Sequence, residues 1–179
     1  MTSILKVDNI QKANGSTPKA NDLGINTTGT VLQVVPKLNS SASVANISSA
    51  NYHSSGLFLS ITPSSTSSKI LLSFSTSIYT SSGGFVNVSI HRNITSSTNA
   101  NTQVSGGTDL DTSSNHYGLS HGYSQSGNQI TPSSAIFLDS PSSTSAQTYT
   151  LTYKSAGGNS CAIFANNQTA SLIAQEIGG

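Results

Sequence analysis

The chain has 179 residues, of which only 7% are charged, and its formal net charge is +1. Soluble domains typically carry about 25% charged residues, so this composition offers no electrostatic attraction to nucleic acid or anionic membranes. Its single cysteine excludes a disulfide framework or a cysteine zinc site within one chain, and no apolar run approaches the ~18 residues of a membrane-spanning helix.

The abundance of Ser, Thr, Asn and Gly is compatible with two classes of protein. One is a disordered Ser/Thr-rich stalk. The other is an all-β shell whose outward strand faces carry hydroxyl groups instead of charges. Apolar stretches recur from residue 30 to residue 177, and Thr, Val, Ile and aromatic residues suit strands. The sequence therefore favours the all-β shell.

Residues 1–29 differ from the rest of the chain. Their apolar residues are too few for an independent core, and they lack the apolar centre of a signal peptide. We expect an extended arm that orders on a partner or on neighbouring copies; a flexible terminus is the alternative. The apolar residues available for its contacts are Ile4, Leu5, Val7, Ile10, Leu23 and Ile25.

Alternation of apolar and polar residues after Gly29 predicts about nine strands and no helix. Pro36, Pro63 and Pro141 are expected to end strands, because proline cannot donate to a ladder. Residues 93–114 are polar and predict a long loop with at most a short edge strand. The predicted strands are Thr30–Val35, Tyr52–Thr62, Lys69–Tyr79, Phe85–Arg92, Tyr117–Ser124, Ala135–Asp139, Gln147–Lys154, Ser160–Ala165 and Ala170–Ile177.

One phrase occurs twice, as ITPSSTSSKILLSF (61–74) and as LDSPSSTSAQTYTL (138–151). Each copy has an apolar stretch, a proline, a Ser/Thr turn and an alternating run. The hydroxyl groups can bond nearby backbone and hold a tight turn without glycine. Rigid turns between antiparallel strands are typical of a β-sandwich or a barrel.

Several predicted strands are apolar on both faces. Leu71 opposes the inward side of its strand, as do Phe58, Phe85 and Phe164. One face of each sheet can fill the interior, so the other needs a different partner. A homo-oligomer interface is the simplest candidate; scattered single surface apolar residues are the alternative.

Two patterns resemble parts of functional sites. Residues 118–122 (GLSHG) match a nucleophile elbow, but no histidine or helix pattern follows them. His116 and His121 are five residues apart, so along a strand their side chains lie on opposite faces, and His53 and His91 lie elsewhere. A metal held by one histidine from each of three copies remains an alternative to exposed or satisfied histidines.

The acidic residues are few. Asp109 and Asp111 share a face if their segment is extended, and can contribute to a calcium site; a solvated loop is the preferred interpretation. Arg92 is expected to pair with Asp139 or Glu176, and Asp139 to cap the following turn. We expect no catalytic residue, no metal and no cofactor. A carboxylate pair of the glycosidase type is not excluded by spacing alone.

Four segments carry a resemblance to a known group of proteins: GTVLQVV (29–35), ITPSSTSSKILLSF (61–74), FLDSPSSTSAQTYTL (137–151) and ASLIAQEI (170–177). Together with the opening SILKVDNIQKANGSTP (3–18), they resemble small structural proteins of marine tailed phages, among them cyanophages and pelagiphages. The resemblance implies an all-β, antiparallel jelly-roll-like β-sandwich over residues 30–179 that forms a homotrimer. It also implies that residues 1–29 are an arm attached to the virion.

The expected function follows from this resemblance. It is a non-enzymatic virion protein, made in the host cytoplasm, that acts as a short tail-fibre subunit whose outward-facing head binds the host surface. The alternative is a capsid or tail decoration protein with a structural role only. The partners are other virion proteins and a host glycan or surface protein, without nucleic acid or membrane insertion. Loop composition selects His116, Tyr117 and Tyr123 as the receptor-contact surface.

Overall fold

The computed structural model describes residues 11–16, 28–39, 46–112, 118–164 and 168–179. Strands account for all the regular structure in these ranges. The six apolar residues expected in the arm lie outside them, as do His116 and Tyr117. The strands are β1 (Val31–Asn39), β2 (His53–Ile61), β3 (Lys69–Thr80), β4 (Phe85–Arg92), β5 (Thr108–Asp109), β6 (Ser120–Tyr123), β7 (Gln129–Asp139), β8 (Gln147–Ala156), β9 (Cys161–Ile163) and β10 (Ala170–Ile177).

The strands form two antiparallel sheets. Sheet A has the order β1-β10-β3-β7, with β9 continuing the line of β10 along β3. Sheet B has the order β2-β8-β4-β5, with β6 beside β5 on the same side of β4. The connections β1–β2, β2–β3 and β3–β4 each cross from one sheet to the other. Neither sheet is therefore a simple meander.

The pairing scheme is that of a jelly roll. The pairs β1–β10, β2–β8, β3–β7 and β4–β6 are those of a chain folded back on itself once. The further pairs β10–β3 and β8–β4 close this long hairpin around a common interior. The prediction of an all-β, antiparallel jelly-roll-like sandwich is confirmed.

The core lies between the sheets and is formed by every second residue of the long strands. Val86, Val88 and Ile90 of β4 are fully buried in this way, between the side chains of sheet A and those of β8. Cys161 is buried as well, and burial raises the pKa of its thiol to about 12. The other core residues include Leu57, Leu59, Ile61, Ile70, Leu72, Phe74, Ile78, Tyr149, Leu151, Tyr153, Ile163, Phe164 and Leu172.

The repeated Pro-Ser phrases are the two connections that cross between sheets at one end of the sandwich. The phrase that contains Pro63 joins β2 to β3, and the phrase that contains Pro141 joins β7 to β8. The strands that flank one turn pair with the strands that flank the other. In sheet A, Ile70 of β3 opposes Asp139 of β7, and in sheet B, Ile61 of β2 opposes Gln147 of β8. The turns are thus neighbours, although about eighty residues separate them along the chain.

The expectation that Pro36 ends a strand is wrong. Pro36 lies inside β1 and faces Ile173 of β10, and Pro132 lies inside β7, which begins six residues earlier than predicted. Both β1 and β7 are edge strands of sheet A. An edge strand uses only every second backbone N–H in the ladder, so proline is tolerated where its nitrogen points away from the sheet.

The expectation that Phe164 points outward is also wrong. Cys161 and Ile163 face the core, as predicted, but the strand ends there and Phe164 adopts a left-handed backbone with φ of 58°. Its N–H donates to Ser77 O at 2.8 Å, and its side chain is 1% exposed. The change of backbone conformation interrupts the period-2 alternation and returns the ring to the core.

Candidate functional surfaces

The outward face of sheet A is apolar. Two rows of side chains run across its four strands: Val34, Gln175, Leu71 and Leu138 in one row, and Pro36, Ile173, Ser73 and Ile136 in the next. Ile136 is 73% exposed, Leu38 65%, Val34 52% and Leu138 48%. We call the outward positions of β1, β10, β3 and β7 the apolar face.

The apolar face carries almost no charge. Among the outward positions of its described strands, Lys69 at the start of β3 is the charged residue. Sequence analysis identified Leu71 on this face but missed the two edge strands. The sequence does indicate these strands: the runs VLQVVP and AIFL have apolar residues at both odd and even positions, and therefore on both faces of a strand. A strand in a two-sheet protein needs apolar residues only on the face that points to the core. A run that is apolar on both faces therefore indicates that the outward face also contacts a partner.

The outward face of sheet B is polar, yet much of it is buried. Asn87, Ser89, Thr150 and Thr152 are at most 2% exposed, although they alternate with core residues of β4 and β8. Tyr52 covers part of this face: its ring meets the His91 ring edge-on at 4.9 Å, and Lys154 Nζ lies 4.4 Å from its centroid. The two sheets therefore differ in both the chemistry and the covering of their outward faces.

His91 is the centre of a hydrogen-bonded cluster on sheet B. Its Nδ1 lies 2.9 Å from Thr152 Oγ1, and that hydroxyl donates to Ser89 O at 3.1 Å. Since the one Thr152 proton is used in this way, Nδ1 carries a proton and donates to Thr152. The Nε2 lone pair then faces Asp109 Oδ2 at 3.8 Å. Sequence analysis did not find this cluster, because it joins three strands.

Burial lowers the pKa of His91, and Lys154 acts in the same direction, whereas Asp109 opposes them. The imidazole is therefore neutral at pH 7. Asp109 itself accepts hydrogen bonds from Ser89 Oγ at 2.5 Å and from the backbone N–H of Asp111 at 3.0 Å. The hydrogen bond from Ser89 holds the short strand β5 against β4.

Asp109 and Asp111 each accept hydrogen bonds from within the fold. The hydrogen bond from the Asp111 N–H bends the chain, so the two carboxylates are not aligned on an extended segment. Asp111 is buried and accepts from the Gly118 N–H at 2.7 Å. In the described ranges, no group of three His, Cys, Asp or Glu side chains can hold a metal ion. His53, His91 and His121 lie on three different strands.

The GLSHG motif does not form a nucleophile elbow. Ser120 lies within β6, opposite Val88, and its hydroxyl accepts from Ser133 Oγ at 2.8 Å. The two glycines of the motif have packing roles: a Cβ on Gly118 would lie 2.4 Å from Val88 O, and one on Gly122 would lie 2.5 Å from Ile78 Cδ1. The motif reflects close packing of β6.

Arg92 joins the two sheets through Asp139. Its Nη1 lies 2.7 Å from Oδ1 and 2.6 Å from Oδ2 of Asp139, and Tyr149 OH donates to the same carboxylate at 2.7 Å. The predicted pairing of Arg92 with Asp139 is confirmed, whereas the predicted capping role of Asp139 is wrong because both oxygens face Arg92. Burial, followed by the hydrogen bond to Asp139, raises the pKa of Tyr149.

Glu176 is a buried carboxylate held by neutral donors. Oε1 accepts from the N–H and the hydroxyl of Ser64, each at 2.6 Å, and Oε2 accepts from Gln33 Nε2 at 2.6 Å. Burial raises the pKa of Glu176, but the hydrogen bonds from Ser64 and Gln33 act in the opposite direction and the pKa lies below its ordinary value. This carboxylate ties β1, β10 and the β2–β3 turn together.

Tyr123 is the one predicted receptor-contact residue that lies within the described ranges. It is 48% exposed at the end of β6 and stacks on Phe85, with ring centroids 4.3 Å apart and an interplanar angle of 25°. Phe58, also on the outward side of sheet B, is 38% exposed. The stacked rings of Phe85 and Tyr123 offer flat apolar surface beside polar loops, which is a combination suited to wet contacts with glycans.

Across the described residues, no helix is long and apolar enough to cross a membrane. No protein family model matches the chain, and no curated protein matches its sequence.

Proposed function

We propose that this chain is a non-enzymatic structural subunit of a tailed-phage particle, more specifically a short tail-fibre subunit with an outward-facing trimeric head. The proposal rests first on the ordered resemblance of four segments and the opening residues to phage structural proteins. The jelly-roll-like sandwich is compatible with it, and so is an exterior rich in hydroxyl groups. The arm, residues 1–29, is proposed to attach the head to other virion proteins.

The observation that carries the non-enzymatic role is the use of the carboxylates. Asp109, Asp111, Asp139 and Glu176 each accept hydrogen bonds that join separate strands or loops. A general acid or base must be within reach of a substrate and free to exchange its proton. These four groups are committed to fixed donors, which is the arrangement expected of a rigid shell.

Host binding is proposed to occur through the head, with Tyr123 and its neighbours in the contact surface. Each head contributes a weak, polar contact, and several heads on one particle raise the overall affinity through multivalency. This mechanism requires rigid domains in many copies and no chemical step. A structure held by buried cross-sheet ties such as Arg92–Asp139 meets the first requirement.

The proposal is tested with phage particles that lack residues 30–179 of this chain but retain the arm. Loss of adsorption to host cells, with intact particles, is the expected result. Failure of particles to assemble would instead indicate a decoration or joining role. Absence of the protein from purified wild-type particles would overturn the proposal, and release of sugars from host polysaccharide by the purified protein would show an enzyme.

A sharper version changes one side chain. Tyr123→Ala removes an exposed ring from the proposed contact surface, and Phe58→Ala removes one from another part of sheet B as a control. We expect adsorption to fall for the Tyr123 variant only. Equal adsorption by both variants would exclude Tyr123 from the contact surface.

A further inference from the structure

The apolar face of sheet A is exposed over much of its extent. On the opposite side of the sandwich, Tyr52 packs against His91, and Ser89 donates a hydrogen bond to Asp109, so part of the polar face of sheet B is covered. Sheet A shows the reverse, since Ile136, Leu38 and Val34 are all more than half exposed. Exposed apolar side chains in adjacent rows of four strands form one patch, which differs from single apolar residues scattered over a surface.

The extent of the apolar face suits a stable interface. Four strands at a spacing of about 4.8 Å and eight to twelve residues in length cover about 600 Å² in projection. The accessible area of a pleated surface exceeds its projection. A standard protein interface buries about 800 Å² of accessible surface on each partner, so this one face is sufficient.

The chemistry of the face defines its occupant. Its outward positions carry apolar residues with Ser73, Ser75, Ser134 and Gln175 between them, and one charged residue, Lys69, at the end. A charged partner would lose solvation here without gaining a counter-ion. The occupant must therefore be nearly uncharged and apolar. The same face on another copy of this chain meets that description, and two such faces do not repel each other.

The edges of sheet A favour contact through the face. Pro36 and Pro132 lie in the two edge strands, β1 and β7. Proline at an edge disfavours the addition of a further strand, because it interrupts the row of backbone donors. A second molecule therefore gains more by covering the side chains of the face than by extending the sheet.

We propose that the outward face of sheet A is buried against other copies of this chain. The proposal rests on the proposed function to the extent that a fibre subunit exists in several copies, and it specifies which surface makes that assembly. Both a two-fold and a three-fold arrangement can bury this face, and the solution mass determines which one occurs.

The test uses the full chain and a single reactive thiol. Ile136→Cys places a thiol at the most exposed apolar position of the apolar face, on the edge strand β7, and Phe58→Cys places one on sheet B as the control. Cys161 contributes little background, because it is buried and burial raises its pKa. The alkylation rate of each variant is measured over a range of protein concentrations, with the mass followed by light scattering. Far-ultraviolet circular dichroism establishes that both variants are folded.

We expect alkylation at position 136 to slow in proportion to the fraction of chain that is associated, while position 58 stays at its monomer rate. Protection of position 136 in a chain that has the mass of a monomer would overturn the proposal and identify residues 1–29 of the same chain as the occupant. If the thiol at position 136 reacts at the monomer rate within an oligomer, the proposed interface is overturned, but the proposal that the protein is a multi-copy subunit is not. A monomer at all concentrations would overturn it too, and the particle experiment would decide the proposed function separately.

A second variant gives an independent readout. Ile136→Lys places a charge where the two faces would meet, and Phe58→Lys is its control. Since both side chains are exposed, neither change removes core packing. We expect the Ile136 variant alone to be monomeric. An unchanged mass for this variant would contradict the proposed interface.

Discussion

Glu176→Gln is the most informative single change in this sandwich, because it keeps the shape of the side chain and removes its charge. In the native protein, Oε1 accepts two hydrogen bonds from Ser64, and Oε2 accepts one from Gln33. A glutamine must place an NH₂ group at one of these positions, where it faces a donor. Gln33 cannot simply reverse its amide, since the same Nε2 also donates to Thr62 O at 2.7 Å.

The magnitude follows from the number of bonds. Hydrogen bonds to a charged group contribute about 1.5–3 kcal/mol and neutral ones about 0.5–1.5 kcal/mol, so the loss is about 1 kcal/mol for each affected bond. The variant weakens three hydrogen bonds and turns one of them into a donor–donor contact, and both effects lower stability. Removing the buried charge acts in the opposite direction and offsets part of the loss. We expect the free energy of unfolding to fall by about 2–3 kcal/mol at pH 7, measured by urea denaturation.

The loss must depend on pH. Because the folded-state pKa of Glu176 is below its ordinary value, the native protein releases this proton more readily than the unfolded chain does. The stabilisation is complete above the unfolded pKa of about 4.3 and disappears as pH falls through the folded pKa. The difference between wild type and variant should therefore shrink on acidification within that range.

Two variants control the experiment. Ser64→Ala removes one donor from the carboxylate, and the double variant with Glu176→Gln measures their coupling. We expect the double variant to be less destabilised than the sum of the single variants. A difference between wild type and Glu176→Gln that stays constant from neutral to acidic pH would refute the assignment of a depressed pKa to this carboxylate.

Three other predictions concern the same framework. Because the folded-state pKa of His91 is lowered, the free energy of unfolding should fall as pH drops below about 6.5. His91→Asn keeps a donor to Thr152 but does not titrate, so its denaturation curves should lack that part of the pH dependence. Asp139→Asn should cost about 2–3 kcal/mol, since it leaves a mostly buried guanidinium unpaired, and adding Arg92→Met should restore part of the loss. Gly118→Ala should destabilise more than Gly127→Ala by thermal denaturation: both have positive φ, but only the first meets a backbone oxygen.

Much of the fold can be derived from local pattern. Period-2 alternation places Val86, Val88 and Ile90 on the inward face of a strand, and the bounds of β4 and β10 agree with the prediction. The two Pro-Ser phrases mark real connections. These features depend on a few neighbouring residues, because each side chain in a strand points opposite to the one before it and proline removes a donor at its own position.

Other features depend on contacts that no short window contains. Pro36 continues its strand because β1 lies at an edge, and whether a strand is an edge is decided by the sheet order. Phe164 returns to the core because its backbone turns left-handed. The donors to Glu176 lie 112 and 143 residues away along the chain. The type of a buried polar side chain predicts that it needs a hydrogen-bond partner. Which residue becomes that partner depends on the distant segments that the fold brings near.

The candidate surfaces divide in the same way. The sequence by itself determined a sparsely charged all-β chain with more apolar strand positions than one interior requires. Only the tertiary structure decided that the surplus gathers on sheet A, in rows that cross four strands, while polar outward residues of sheet B such as Ser89 and Thr150 are buried. Alternation records which side of its own strand a residue faces; the register between distant strands decides which residues become neighbours on that side.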